Sequence, residues 1–284
     1  MQFYKVFTNI FIMLNKKVNI VVGLTTFNTE MLQISIPALG KLKQKFLLVI
    51  YNDNPTTTVS RHQIRKLGYT GKIEIINTSE KVGVLRGRMK IVDEIKNLKS
   101  LPDWIIFNDD DDILTDLTIP EVSDNIFSIV QNSIIIRHRL QDLMHAINNS
   151  TSIDIDGENV IISRPNMYFV GMLIRTSLLI ETFDFIKPLL ESIEKIDNSL
   201  GYRPPVDLML RTLLTMYAKF KNPDLSPIYM DKVNYIKTEL DTATVKYDKL
   251  NKPARNITEH YKRAIAKYET LIKSALDAIA PQGL

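Results

Sequence analysis

WIIFNDDDD, residues 104–112, joins an apolar run to four consecutive carboxylates. The run Trp104–Phe107 has the length and composition of a strand buried on both faces. Carboxylates packed this closely repel one another, and they are costly at the end of a core strand unless a cation neutralises them or water screens them. Alternate side chains of an extended segment share a face. Asp109 with Asp111 is therefore one candidate pair for a hard divalent cation, and Asp110 with Asp112 is the other. Mg2+ and Mn2+ both accept carboxylates, waters and substrate phosphates. A solvated acidic loop is the plain alternative. Placement directly after a buried strand favours the cation.

The segments upstream repeat the same plan. VNIVVGL (18–24), FLLVIY (46–51) and KIEIIN (72–77) are apolar, β-branched runs that read as strands. Helical patterns separate them over about 30–42, 58–67 and 85–98; Pro37 kinks or opens the first, and Thr58 caps the second. Strands alternating with helices on short connections predict an α/β fold with a mostly parallel sheet covered on both faces. Ligands of such sheets bind beyond the carboxyl ends of the strands. Polar segments stand at all four ends: TTFN (25–28), NDNP (52–55), TSEKVGVLRGR (78–88) and the aspartate run. Lys81, Arg86 and Arg88 surround Gly83 at a helix start, which makes an anion site. Arg86 is the better candidate for a merely solvated cation. Asp53 either accepts hydrogen bonds from a base or ribose, or forms an Asx turn before Pro55.

The second half reads differently. SIDIDGENVIIS (152–163) alternates about Asp156-Gly157 and predicts a β-hairpin. MYFVGMLI (167–174) reads as a core strand, 176–196 and 206–220 as helices, and 235–256 as a polar loop. Ile257, Tyr261, Ile265, Tyr268, Ile272 and Ala275 keep helical spacing in a last segment over about 257–279. The expected organisation is an N-terminal extension (1–17), a first half (18–115), a second half of the same domain (116–220) and a C-terminal loop with a helical appendage (221–284). His138 and His145 are candidates for surface residues or an extra metal ligand. Trp104 and Tyr168 are candidates for core or pocket walls.

Composition bounds the rest. The chain has 284 residues, is 45% hydrophobic and 24% charged, which is ample for a core, and its net charge of +4 is too weak to argue for nucleic acid. It has no cysteine, which excludes disulfides, thiolate metal sites and cysteine nucleophiles. The apolar run in MQFYKVFTNIFIML (1–14) is broken by Thr8 and Asn9 and is too short to span a bilayer. A weak membrane-surface contact is its most membrane-like reading, and a cytoplasmic location, peripheral at most, is the expectation. Nothing in the sequence sets an oligomeric state.

Taken in order, LTTFN (24–28), IYNDNP (50–55), KVGVLRGRM (81–89), FNDDDD (107–112) and PVDLMLR (205–211) resemble the GT-A fold glycosyltransferases, especially the inverting family 2 type. The resemblance covers roughly residues 18–220 and implies that 18–115 is the donor-binding half and 116–220 the acceptor-side half. Lys81 and Met89 stand where that family has asparagines, and Val206 where it has a glutamate. The resemblance implies that Thr25, Thr26 and Phe27 contact a nucleotide and that Asp53 recognises uracil or ribose. Gly83, Arg88, Asp109 and Asp110 would serve donor binding, Asp109 and Asp111 would hold Mn2+ or Mg2+, and Asp207 would be the general base. It further implies a nucleoside-diphosphate sugar as donor, UDP-linked in the first instance, and a glycan, lipid-linked or protein acceptor. A nucleotidyltransferase on a related sheet is an alternative, although GLTTFNTEM (23–31) lacks the glycine-rich basic loop it would need. A non-catalytic nucleotide-sugar binding module is the other.

Overall fold

The computed structural model describes residues 20–119, 129–137, 151–155, 158–163, 169–200, 206–224, 228–237 and 257–280. The N-terminal extension, His138, His145, Tyr168 and most of the 235–256 loop lie outside the described residues.

Four parallel strands form the framework: β1 (Ile20–Thr26), β2 (Leu47–Asn52), β3 (Lys72–Asn77) and β4 (Trp104–Asp109), in the spatial order β3-β2-β1-β4. β1 and β2 are buried along their whole length, and β4 up to Asp109. Such continuous burial is why these runs do not alternate in polarity. β3, at the edge, buries only Ile73 fully. The helices between them are α1 (Leu32–Gly40), α2 (Arg61–Lys66) and α3 (Val84–Lys96). Pro37 lies inside α1. α2 is capped by Ser60, whose extended backbone lets its hydroxyl accept from the Gln63 N–H at 3.2 Å, and not by Thr58. α3 buries Arg88, Ile91, Val92 and Ile95 along one stripe and packs on β1 and β2. Its Gly87 permits that approach, because a Cβ there would stand 2.8 Å from the Tyr51 ring.

Beyond β4 the sheet becomes mixed. β5 (Ile113–Leu114), β6 (Ile129–Arg137), the hairpin β7 (Thr151–Ile155) and β8 (Glu158–Ser163), β9 (Leu173–Arg175) and β10 (Ile228–Lys237) complete it, continuing the order past β4 as β9-β6-β10-β5. β9 runs antiparallel to β4 and β6, while β10 is parallel to β6. The hairpin brackets Asp156-Gly157 as expected. The strand expected over 167–174 is shorter: extended structure begins at Leu173, because Gly171 takes a φ of 76° and turns the chain. Tyr235–Lys237, expected in a loop, are the last residues of β10.

The helix expected over 176–196 is divided into α4 (Thr176–Ile186), a 3-10 turn at Pro188 and α5 (Leu190–Ser199). α6 (Val206–Lys221) and α7 (Ile257–Ile279) follow. α7 packs on α5 and α6 through buried Ala264, Tyr268, Ile272 and Leu276. The chain is thus α/β, with a sheet parallel at its core, flanking helices and a C-terminal helix. No helix among the described residues is long and apolar enough to cross a membrane.

Candidate active site

The acidic run leaves β4 as a tight turn. The Asp112 N–H donates to the Asp109 carbonyl at 3.3 Å, so extended geometry stops at Asp109 and two-residue alternation no longer applies. Asp109, Asp111 and Asp112 are brought together, with one carboxylate oxygen from each lying within 4.8 Å of the others. Asp112, fully buried, joins the expected Asp109–Asp111 pair. Asp110 turns the other way and accepts from the Thr26 hydroxyl at 2.6 Å. An all-oxygen donor set of this kind suits Mg2+ or Mn2+. Beside it, buried Asn108 spends its amide on the Asp109 and Asp112 carbonyls and leaves its Oδ1 without a protein partner.

Burial pushes the Asp110 carboxyl up to about 7, with the Thr26 hydrogen bond pulling it down and the Asp109 charge pushing it further up. An unfolded aspartate titrates near ~3.9. The folded chain therefore holds this proton more tightly than the unfolded one. The stabilisation is complete below about pH 4 and is lost as pH rises through about 7. A cation on the neighbouring carboxylates favours the ionised form instead. Mn2+ should therefore raise the melting temperature more near about pH 8 than near about pH 5. A pH-independent increment would contradict this placement of Asp110.

Arg88 departs from its expected role. It is 1% exposed, which leaves no surface for a diphosphate. Its Nη1 donates to Asp207 Oδ1 at 2.5 Å and its Nη2 to Asp109 Oδ1 at 3.1 Å. Phe107 and Phe169 lie about its guanidinium, with centroids at 5.6 and 5.4 Å. The two carboxylates hold its pKa above the ordinary arginine value against the opposing effect of burial. One buried fork thus ties α3 to the end of β4 and to the start of α6. Arg86, by contrast, makes an exposed pair with Glu194 at 2.7 Å.

The described contacts give Asp53 a task that neither expectation foresaw. Its two oxygens accept from the Val82 and Gly83 N–H groups at 2.7 and 3.0 Å, shaping the loop that opens α3. The Asx turn forms one residue later, where Asn54 Oδ1 accepts from the Thr56 N–H at 3.0 Å. Gly83 takes a φ of 84° as the residue before the helix, a conformation that other L-residues rarely adopt. Thr25 and Thr26 are buried at the end of β1, and Phe27 is 45% exposed with Lys81 Nζ 4.1 Å from its ring centroid.

Tyr235 was not among the expected residues. It comes from β10, is fully buried, and donates its hydroxyl to Asp112 Oδ2 at 2.7 Å. The same hydroxyl accepts from the Asp109 N–H at 3.3 Å. Burial, and then the charges of Asp112 and Asp109, raise its pKa well above the ordinary tyrosine value, which keeps it a donor. The one local signal was an aromatic residue in VNYIK (233–237), which is compatible with a strand.

The sequence matches no family model. It also matches no curated protein. Among solved structures, the chain is similar to a mannosyltransferase from Pyrobaculum calidifontis in complex with GDP-Man and Mn2+, at 12% identity and a TM-score of 0.43, over 95% of this chain and 77% of that one. It is similar to a nucleoside-diphosphate-sugar pyrophosphorylase from Vibrio cholerae, at 12% identity and a TM-score of 0.42, over 78% of this chain and 92% of that one. Both likenesses are distant, and the chemistry has to come from the strand ends themselves.

Proposed function

We propose that this protein is a GT-A-like, metal-dependent glycosyltransferase. It takes a sugar from a nucleoside-diphosphate donor, UDP-linked in the first instance, and passes it to an acceptor hydroxyl with inversion. One observation carries the reading: the carboxylates of Asp109, Asp111 and Asp112 converge at the carboxyl end of a central parallel strand. Ligands of open α/β sheets bind at that edge.

Asp109, Asp111 and Asp112 would hold the cation. When bound, a divalent ion offsets the charge that develops on a departing diphosphate. Phe27 offers an exposed aromatic face for a base, and Lys81 a cation beside it. Gly83 and Asp53 shape the backbone of the loop that meets the donor, and a nucleotide contact by Asp53 would use its remaining lone pairs. Asp207 is the general base of the proposal. Arg88 grips its Oδ1, while 14% of the side chain stays exposed, and Oδ2 would take the proton of the attacking hydroxyl. The displacement forms the bond from the acceptor oxygen to the anomeric carbon and breaks the bond from that carbon to the diphosphate.

Thermal-shift measurements with UDP, GDP and CDP, with and without Mn2+, test donor binding. A ligand that binds only the folded chain adds about 2.7 kcal/mol at a hundredfold excess over Kd. UDP with Mn2+ should give the largest shift. A UDP shift indifferent to Mn2+ would overturn the metal's part. With labelled UDP-sugars, Asp207→Asn should keep donor binding and lose about 10²–10⁴ of the transfer rate, the range for general-base loss. Full activity in that variant would remove Asp207 from the mechanism. Donor binding by the unmodified protein without transfer or hydrolysis would point to a binding module.

A further inference from the structure

We infer that Tyr235 is a positioning residue of the acidic centre, supplied by a strand outside the region that carries the family resemblance. The inference rests on the metal reading above and extends it to a residue that contacts no substrate. Its hydroxyl meets both ends of the acidic turn, donating to the Asp112 carboxylate at 2.7 Å and accepting from the Asp109 N–H at 3.3 Å. The backbone of the same residue pairs with Leu114, in the short strand that leaves the turn. One side chain and one backbone position thus set where the aspartate run begins, where it ends and how it departs.

The local structure of β10 is adapted to this. Its register against β6 shifts between Met230 and Val233, where Asp231 and Lys232 have no counterpart, and again between Val233 and Tyr235, where Asn234 has none. Bulges of this kind re-aim the next side chain and recur beside functional sites. On its other side the Tyr235 ring is seated against Gly171, where a Cβ would stand 2.9 Å from its Cγ. The hydroxyl cannot shift without moving that turn. Metal-binding carboxylates are commonly oriented by such partners, whose removal costs about 10–100-fold in affinity.

The test is Mn2+ binding to the whole 284-residue chain, read from the electron paramagnetic resonance signal of free Mn2+. Tyr235→Phe keeps the ring against Gly171 and deletes only the hydroxyl. It should weaken Mn2+ binding about 10–100-fold while far-UV circular dichroism stays unchanged. In an Asp112→Asn background the same change should have little further effect. A folded Tyr235→Phe protein with unchanged Mn2+ affinity overturns the inference, even if its melting temperature falls, since a purely structural role would lower stability alone. If the unmodified chain binds neither Mn2+ nor Mg2+, the metal reading itself fails, and this inference with it. Should Tyr235→Phe not fold, amide hydrogen exchange of the unmodified protein decides. Mn2+ should increase protection in peptides covering 109–114 and 233–237 together, and protection of the first alone would overturn the inference.

Discussion

Asp111→Asn is expected to abolish Mn2+-dependent donor binding while relieving repulsion within the metal-free acidic cluster. The two halves of this result have opposite physical origins. Without a cation, Asp109, Asp111 and Asp112 are three carboxylates with oxygens inside 4.8 Å, and neutralising one relieves repulsion. With a cation, the same change removes an anionic ligand from the set that would face a leaving diphosphate. Losing the cation would remove the group that offsets charge on the departing diphosphate, and removing one such preorganised electrostatic contact costs about 10²–10³ in kcat. Asp109 also holds Arg88 and Asp112 also holds Tyr235, so substituting either mixes ligation with the loss of those contacts. Thermal shifts with Mn2+ alone and with Mn2+ plus UDP, beside transfer rates, check both halves. Wild-type Mn2+ and UDP responses in Asp111→Asn would place the cation elsewhere.

Arg88→Met should be among the most destabilising single changes in the protein. It leaves the Asp207 and Asp109 carboxylates, 14% and 26% exposed, without the cation they share. Breaking a buried pair by deleting one member costs about 3–5 kcal/mol. That is a large part of the about 5–15 kcal/mol by which domains are stable. Arg88→Lys should recover little, because an ammonium is a single point and cannot reproduce the fork that reaches two carboxylates at once. Urea unfolding followed by circular dichroism gives both values. A loss under about 1 kcal/mol in Arg88→Met, the scale of a surface pair, would show that the tie is not structural.

Arg88 also shows where reading along the chain stops. The motif KVGVLRGRM marks it as a cation near an anion site, yet it occupies the stripe that Ile91, Val92 and Ile95 continue. A charged residue in register with a buried helical face signals an internal partner, and that signal was present in the sequence. The partners were not: Asp207 lies 119 residues away on another helix. The acidic run divides the same way. Its position after a core strand was legible from apolar composition alone. The assignment of Asp112 to the cluster and of Asp110 to Thr26 was not, because alternation holds only while the chain is extended and the chain turns after Asp109.

Local chemistry was enough for the four central strands, the helices between them, the hairpin about Asp156-Gly157 and the last helix. Each is a contiguous segment whose apolar spacing states its own period. β10 escaped that reading, since it is interrupted by polar residues and bulges, and β9 came out shorter than the strand expected over 167–174 because the chain turns at Gly171. The pairing of Arg88 with two distant carboxylates, the capture of the α3 loop by Asp53 and the hold of Tyr235 on the acidic turn came only from the tertiary structure. Each joins groups far apart in the chain, and such contacts leave no periodic trace: their energies depend on which buried charges and donors meet once the sheet has assembled.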